Sequence, residues 1–232
     1  MMHKTLRSVA SLLSITVAAL ALWAAPARGE DLPEGFAPLF DGKTLTGWHG
    51  DAKLWSVADG AIVGKTDGKM PANQFLVSDA EYDNFVLRVA FKLHGHKGNS
   101  GIQFRSQELK EVDGKPQIPF CVKGNQADIA DNQFMGILYG ERSRGIMAQV
   151  NEEKQKELAK VVKKDDWNTY EITADGAHIV QKINGFTTVD FTDPDFGDPQ
   201  KAEKTGIIAL QLHVGGDMQI SFKDLILKKL SK

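Results

Sequence analysis

Phe85-Val86-Leu87-Arg88-Val89-Ala90-Phe91-Lys92-Leu93 puts a large apolar side chain at every second position. Successive side chains of a strand point to opposite faces, so this alternation describes a strand with one face buried. The same period recurs downstream. Trp167 to Thr173 and Ala177 to Ile183 read as two strands joined at Asp175-Gly176, and Asn184-Gly185 is a strong two-residue hairpin signal. Ile207 to Val214 and Met218 to Leu227 read as a closing pair separated by Gly215-Gly216. Helical patterning is confined to residues 151–164, where Asn151 is placed to cap a charged run that we expect to be an exposed insertion. Many short strands with glycine-rich turns predict an all-β fold: a two-sheet antiparallel β-sandwich with a minor helical insertion.

The N-terminal residues follow a different pattern. Lys4 and Arg7 precede an apolar run from Val9 to Ala25, and Ala25-Pro26-Ala27 offers a small-residue cleavage site. This is the layout of a secretory signal over residues 1–29, which predicts a secreted or periplasmic protein. Residues 30–232 then form one domain, a length that suits a single all-β unit. No later stretch is apolar enough to span a membrane. The formal charge of the whole chain is −2 and the leader holds three of its positive charges, Lys4, Arg7 and Arg28. The remainder is therefore more acidic, which disfavours nucleic acid and anionic lipid as partners. Cys121 is the only cysteine, so no intramolecular disulfide can form. It reads as a buried strand residue rather than a nucleophile.

Parity along four segments isolates a polar face. Gln103 and Arg105 oppose Ile102 and Phe104; Gln126 and Asp128 oppose Ala127 and Ile129. Tyr139 and Glu141 share a face, and Gln211 and His213 oppose Ile208, Leu210, Leu212 and Val214. Ordinary solvated strands favour Lys, Glu, Thr and Ser. Planar amides, a guanidinium and carboxylates are instead the groups that grip sugar hydroxyls by two-pronged hydrogen bonds.

At these residues the chain resembles the 3-keto-disaccharide hydrolase family. Gly35-Phe36-Ala37-Pro38-Leu39-Phe40-Asp41-Gly42-Lys43-Thr44-Leu45-Thr46-Gly47-Trp48 is similar to its opening signature, continued by Trp55-Ser56-Val57-Ala58-Asp59-Gly60. Gly98-Asn99-Ser100-Gly101-Ile102-Gln103-Phe104-Arg105 resembles its central block. Gln126-Ala127-Asp128-Ile129, Leu138-Tyr139-Gly140-Glu141, Trp167-Asn168-Thr169-Tyr170, Asn184-Gly185 and Leu210-Gln211-Leu212-His213 follow in order. The resemblance implies a concanavalin A-like jelly roll whose curved sheet forms a ligand cleft, and a carbohydrate partner bearing a ketone at C3. Asp41-Gly42-Lys43 reads as a turn and Trp48 as core packing.

The chemistry expected of such a site differs from that of ordinary glycosidases, which flank the bond with two carboxyl groups. No Glu-x-Asp-x-Glu run occurs on any candidate strand. A C3 ketone acidifies the C2 proton, so a base can remove it while the C1 substituent leaves; water then adds back. We therefore expect His213, Asp128, Glu141 and Arg105 to be catalytic. Arg105 would stabilise the enolate, and Gln103, Gln126, Tyr139 and Gln211 would bind substrate. Asp128 and Glu141 could also join His213 around a divalent metal ion. His94 and His96 lie in a glycine-rich loop without a suitable carboxylate and are expected to face solvent. The alternative to catalysis is a non-catalytic carbohydrate-binding module, and a weaker one is a structural envelope protein.

Overall fold

The computed structural model of the protein describes residues 32–112, 115–198 and 201–231. The proposed signal segment, residues 1–29, lies outside the described residues. Fifteen strands and one α-helix follow in chain order: β1 (Ala37–Pro38), β2 (Trp48–His49), β3 (Trp55–Ala58), β4 (Ala61–Asp67), β5 (Gln74–Tyr82), β6 (Phe85–Leu93), β7 (Asn99–Val112), β8 (Lys115–Ala130), β9 (Leu138–Glu141), β10 (Gly145–Ala148), α1 (Glu152–Val161), β11 (Asn168–Asp175), β12 (His178–Ile183), β13 (Phe186–Thr192), β14 (Gly206–Leu212) and β15 (Asp217–Lys229). They form two antiparallel sheets. The eight-stranded sheet runs β13-β12-β11-β6-β15-β4-β3, with β1 paired to β15, and the seven-stranded sheet runs β10-β9-β8-β7-β14-β5-β2.

The alternation of residues 85–93 is realised along β6, where Phe85, Leu87, Val89, Phe91 and Leu93 are all buried. They meet Ile102, Phe104, Ala127, Ile129, Leu138, Leu210 and Leu212 from the facing sheet in one core. Phe85 and Phe104 touch edge-to-face across that core, with ring centroids 6.3 Å apart. Asn184 and Gly185 both take positive φ, as the tight β12–β13 hairpin requires. Asp41 accepts from the backbone N–H groups of Lys43 and Thr44, and Trp48 is buried with its indole N–H on the Leu39 carbonyl.

Helix α1 corrects one expectation. Asn151 caps it by accepting from the Lys154 N–H at 2.9 Å. The helix is not merely an exposed insertion, because Leu158 is buried and joins the main core.

The β7–β8 hairpin carries the feature that shapes the site. Gln103 faces Ala209 and Ser106 faces Ile207, so β7 fits one residue more than β14 into the same interval. The extra residue is a β-bulge, with Arg105 at φ 47°. Beyond it the hairpin arches over its own sheet. Although β7 and β14 separate β8 from β5, Cys121 reaches the Asn73 carbonyl, and Val122 packs with Phe75, Val77, Ile207 and Ala209 in a second apolar cluster. His49 on β2 fastens the arm by contacts with Glu108 at 3.1 Å and the Phe120 ring.

Candidate functional site

Register puts most of the expected residues on the outer face of the seven-stranded sheet. Gln103 pairs with Gln126, Gln126 with Tyr139, and Gly124 with Glu141, while Gln211 sits on β14, the other neighbour of β7. His213 lies just past the end of β14 and is half-buried, and its charge reaches Glu141. Its Nδ1 lies 2.5 Å from the Val214 carbonyl. A carbonyl can only accept, so Nδ1 carries the proton and Nε2 is the open nitrogen.

Arg105 departs from the parity expectation. The bulge turns it out of the Gln103 face, and Ser106 takes its place there, donating to Gln103 Oε1 at 2.7 Å. The Arg105 guanidinium instead donates to the carbonyls of Asp83 at 2.7 Å and Gly176 at 2.6 Å, and to Asn84 Oδ1 at 2.9 Å. It also stacks over Phe196. Burial draws its proton affinity down to about 10, so it remains charged at neutral pH. With every edge of the fork engaged, Arg105 is a corner brace between turns and not the enolate stabiliser expected of it.

The remaining polar residues form two strings that end on carboxyls. In the first, Gln103 Nε2 donates to Gln126 Oε1 at 2.6 Å, and Gln126 Nε2 donates to Asp128 Oδ1. In the second, Asn73 Nδ2 donates to Glu141 at 3.3 Å, with Gln211 Nε2 at 3.4 Å from its other oxygen. Asn73 is itself held by the Val214 N–H at 2.9 Å. These amides are long for hydrogen bonds to a carboxylate and hold Glu141 loosely. Gln211 Oε1 is buried without a donor, an acceptor that the protein leaves open.

Both carboxyls are nearly sealed, Asp128 at 4% exposure and Glu141 at 7%. Burial disfavours the charged form and pushes Asp128 up to about 7; the Gln126 N–H opposes this and the charge of Glu141 adds to it. Burial likewise raises Glu141, against the Asn73 hydrogen bond and the positive charges of Arg142 and His213. The Tyr139 phenol is raised by burial and by both carboxylates.

The metal expectation does not fit. Among the described residues, no group of three or more His, Cys, Asp or Glu side chains is arranged to hold an ion. Asp128 and Glu141 are instead approached by amide N–H groups, which engage Oδ1 of Asp128 and both oxygens of Glu141. His94 bonds Ser221 at 2.9 Å, on the eight-stranded sheet. Cys121 is buried, and burial raises its thiol, which suits packing rather than nucleophilic work. Asn73 and Ser106 were not foreseen. Neither lies in an alternating polar pair, and only the bulge and the chain ends bring them to the face.

Beside the polar face runs a groove of about 670 Å³ between α1, β10 and the loop before β9. Phe134, Ile146, Gln133, Gln149 and Gln155 line it, with Phe134 37% and Ile146 42% exposed. Ile146 pairs with Tyr139, so the groove adjoins the carboxyl-bearing face.

A two-sheet antiparallel sandwich with amides and carboxyls gathered on one sheet defines an all-β sandwich protein with a buried polar site on one face. The chain belongs to the 3-keto-alpha-glucoside-1,2-lyase-like domain family, whose model matches residues 35–228. It is similar to a 3-keto-disaccharide hydrolase of Bacteroides thetaiotaomicron, with 31% identity over 111 residues, covering 43% of this chain and 38% of that protein. The match thus spans well under half of that relative. In fold it is similar to a proposed glycosyl hydrolase from Parabacteroides distasonis, with TM-score 0.61 and 22% identity over 85% of this chain and 95% of that one. It also resembles the carbohydrate-binding module CBM66 of Bacillus subtilis, with TM-score 0.56 and 13% identity over 79% and 96% of the two chains.

Proposed function

We propose that the protein cleaves 3-keto-glycosides by elimination across C1 and C2 followed by hydration, with Asp128 and Glu141 as the acid–base pair. The observation that carries this reading is the pair itself: two carboxyls buried on one sheet face in unequal surroundings. Burial raises the proton affinity of both, and what differs is the opposition to it: one amide N–H on Asp128, but the Asn73 amide and neighbouring positive groups on Glu141. Glu141, met by two amide N–H donors and two positive charges, serves as the base. Asp128, whose affinity lies near neutrality, serves as the acid.

Glu141 takes the C2 proton, the C1–C2 double bond forms, the C1–O bond breaks, and Asp128 gives its proton to the departing oxygen. Charge that develops on the C3 oxygen is met by N–H groups of Asn73 and Gln211. Water then adds to C1 as Asp128 takes one of its protons, and Glu141 returns a proton to C2. Both groups recover their starting state, and the sum is hydrolysis. Substrate reaches the pair past Tyr139, Asn73 and His213, the half-exposed members of the group, and the groove lined by Phe134 and Ile146 offers room for the leaving half.

The rival reading is a carbohydrate-binding module, a role that the shared fold of CBM66 makes the natural alternative. Incubation with a 3-keto-glucoside and with its unoxidised parent separates the two. Release of the aglycone from the keto form alone supports cleavage; saturable binding of both without turnover supports the module. The same reading puts the protein in the periplasm or outside the cell, on the pattern of residues 1–29. N-terminal sequencing of protein from the exported fraction tests it, with a start close to residue 28 or 30 expected.

A further inference from the structure

Three uncharged side chains lead to Asp128 in one hydrogen-bonded string. Ser106 Oγ donates to Gln103 Oε1 at 2.7 Å, Gln103 Nε2 to Gln126 Oε1 at 2.6 Å, and Gln126 Nε2 to Asp128 Oδ1. All four residues are buried. Reversing either amide alone would set like against like where Gln103 meets Gln126, while the Ser106 hydroxyl also has the carbonyls of Phe104 and Asn125 at 3.1 and 3.3 Å. Asp128 Oδ2 makes no hydrogen bond among the described residues and is not one of the buried orphaned atoms.

The backbone makes room for the string at both ends. A Cβ on Gly101 would meet Cγ and Cδ of Gln126 at 2.6 Å, and one on Gly124 would meet Ser106 Oγ at 2.3 Å. Any side chain at Gly101 would push the Gln126 amide off its path to Asp128. Ser106 itself reaches this face only because of the bulge at Arg105.

We propose that Ser106, Gln103 and Gln126 are positioning residues that present an N–H to Asp128 Oδ1 and so confine the carboxyl's proton to Oδ2, the oxygen open to substrate. This rests on Asp128 acting as the acid. An acid must carry its proton on the oxygen that faces the leaving group, and a carboxyl free to place it on either would spend part of its time disarmed. The other groups that act on this carboxyl are Glu141 and Tyr139 from β9 and the buried Tyr170 phenol from β11. None of them is altered in the test.

The titration of Asp128 can be followed by NMR of 13C-labelled aspartate carboxyls, with Asp128→Asn to assign the signal. Gln126→Met keeps the length of the side chain and removes the N–H that favours the charged form. The midpoint should rise by about one to two pH units. Ser106→Ala, three links away, should raise it by less than one unit, and Gly101→Ala should imitate Gln126→Met. A fall in the Gln126→Met midpoint would show the string running the other way, with the proton on Oδ1, and would overturn the proposal. So would midpoints unchanged in both Gln126→Met and Ser106→Ala while amide spectra remain native. These readouts need no turnover. Failure to cleave a 3-keto-glycoside would thus sink the proposed function and leave the string to be judged by its own titration. If both stand, the kcat pH profile of Gln126→Met should move with the NMR midpoint while KM changes little.

Discussion

Arg105 and the Asp128–Glu141 pair are both buried charges on the seven-stranded sheet, and the protein treats them in opposite ways. Arg105 has an acceptor for each edge of its guanidinium and an aromatic ring beneath it. The carboxyls receive few donors, those on Glu141 long, and burial raises the proton affinities of both. A buried charge that is fully paired fixes architecture. One left short of partners costs stability, and its persistence points to chemistry.

The largest expected effect is on turnover. Glu141→Gln and Asp128→Asn each keep shape and remove the titrating group, so cleavage of a 3-keto-glucoside should fall by about 10²–10⁴-fold. Binding of the unoxidised sugar should change far less. His213→Gln should cost much less turnover, since the histidine lies at the rim. Near-full activity in both carboxyl variants would break the contrast with Arg105.

Arg105→Ala should act on stability instead. It strands the part-buried carbonyls of Asp83 and Gly176 and the Asn84 side chain, and should lower the unfolding free energy by about 2–4 kcal/mol in urea titrations. Arg105→Lys should recover only part of this, because an ammonium cannot reach three acceptors set around a planar fork. A stable Arg105→Ala protein that had lost turnover would show the brace to be part of the chemistry after all.

A third effect is set by pH. An aspartate whose folded affinity is raised binds more protons when folded than unfolded, so its contribution is most favourable at low pH. It is lost as pH climbs from about 4 through about 7. Asp128→Asn removes that loss, and the variant should be more stable than the parent at pH 8 by about 1–3 kcal/mol while the two converge near pH 4. A variant less stable at pH 8 would mean that the Asp128 carboxylate is well paired after all.

The smallest effect concerns the arm. Burial alone would lower the affinity of His49, but the hydrogen bonds it donates to Asp79 and Glu108 raise it above its ordinary value. The latch is therefore strongest below about pH 6 and weakens as pH rises through the folded value. The groups are partly exposed and solvent-screened, so Glu108→Gln should shift the melting temperature by only a degree or two at pH 6 and less at pH 9.

Period-two alternation made β6, β11, β12, β14 and β15 legible, since a half-buried strand has to show it. The same rule identified Gln103, Gln126, Asp128, Tyr139, Glu141 and Gln211 as residues sharing one face. It failed at Arg105 because a bulge shifts parity by one, and nothing in Phe104-Arg105-Ser106 announces an extra residue. Asn73 stayed hidden because its place depends on β5 lying beside β14, a pairing of distant segments. Leu158 stayed hidden because one apolar residue among so many charges gives a helix no obvious buried stripe.

The order of strands carries a consequence for how the chain comes to be folded. In the seven-stranded sheet β14 lies between β7 and β5, and in the eight-stranded sheet β15 lies between β6 and β4. The last two strands of the domain are thus interior planks, one in each layer. A chain emerging from the ribosome cannot close either layer until residues beyond Thr205 are available, and until then β4, β5, β6 and β7 each present a bare edge. Such wiring has high contact order, so refolding should take milliseconds to seconds rather than microseconds. It also leaves a nascent chain with four strand edges open to mispairing, the condition under which holding chaperones are most useful.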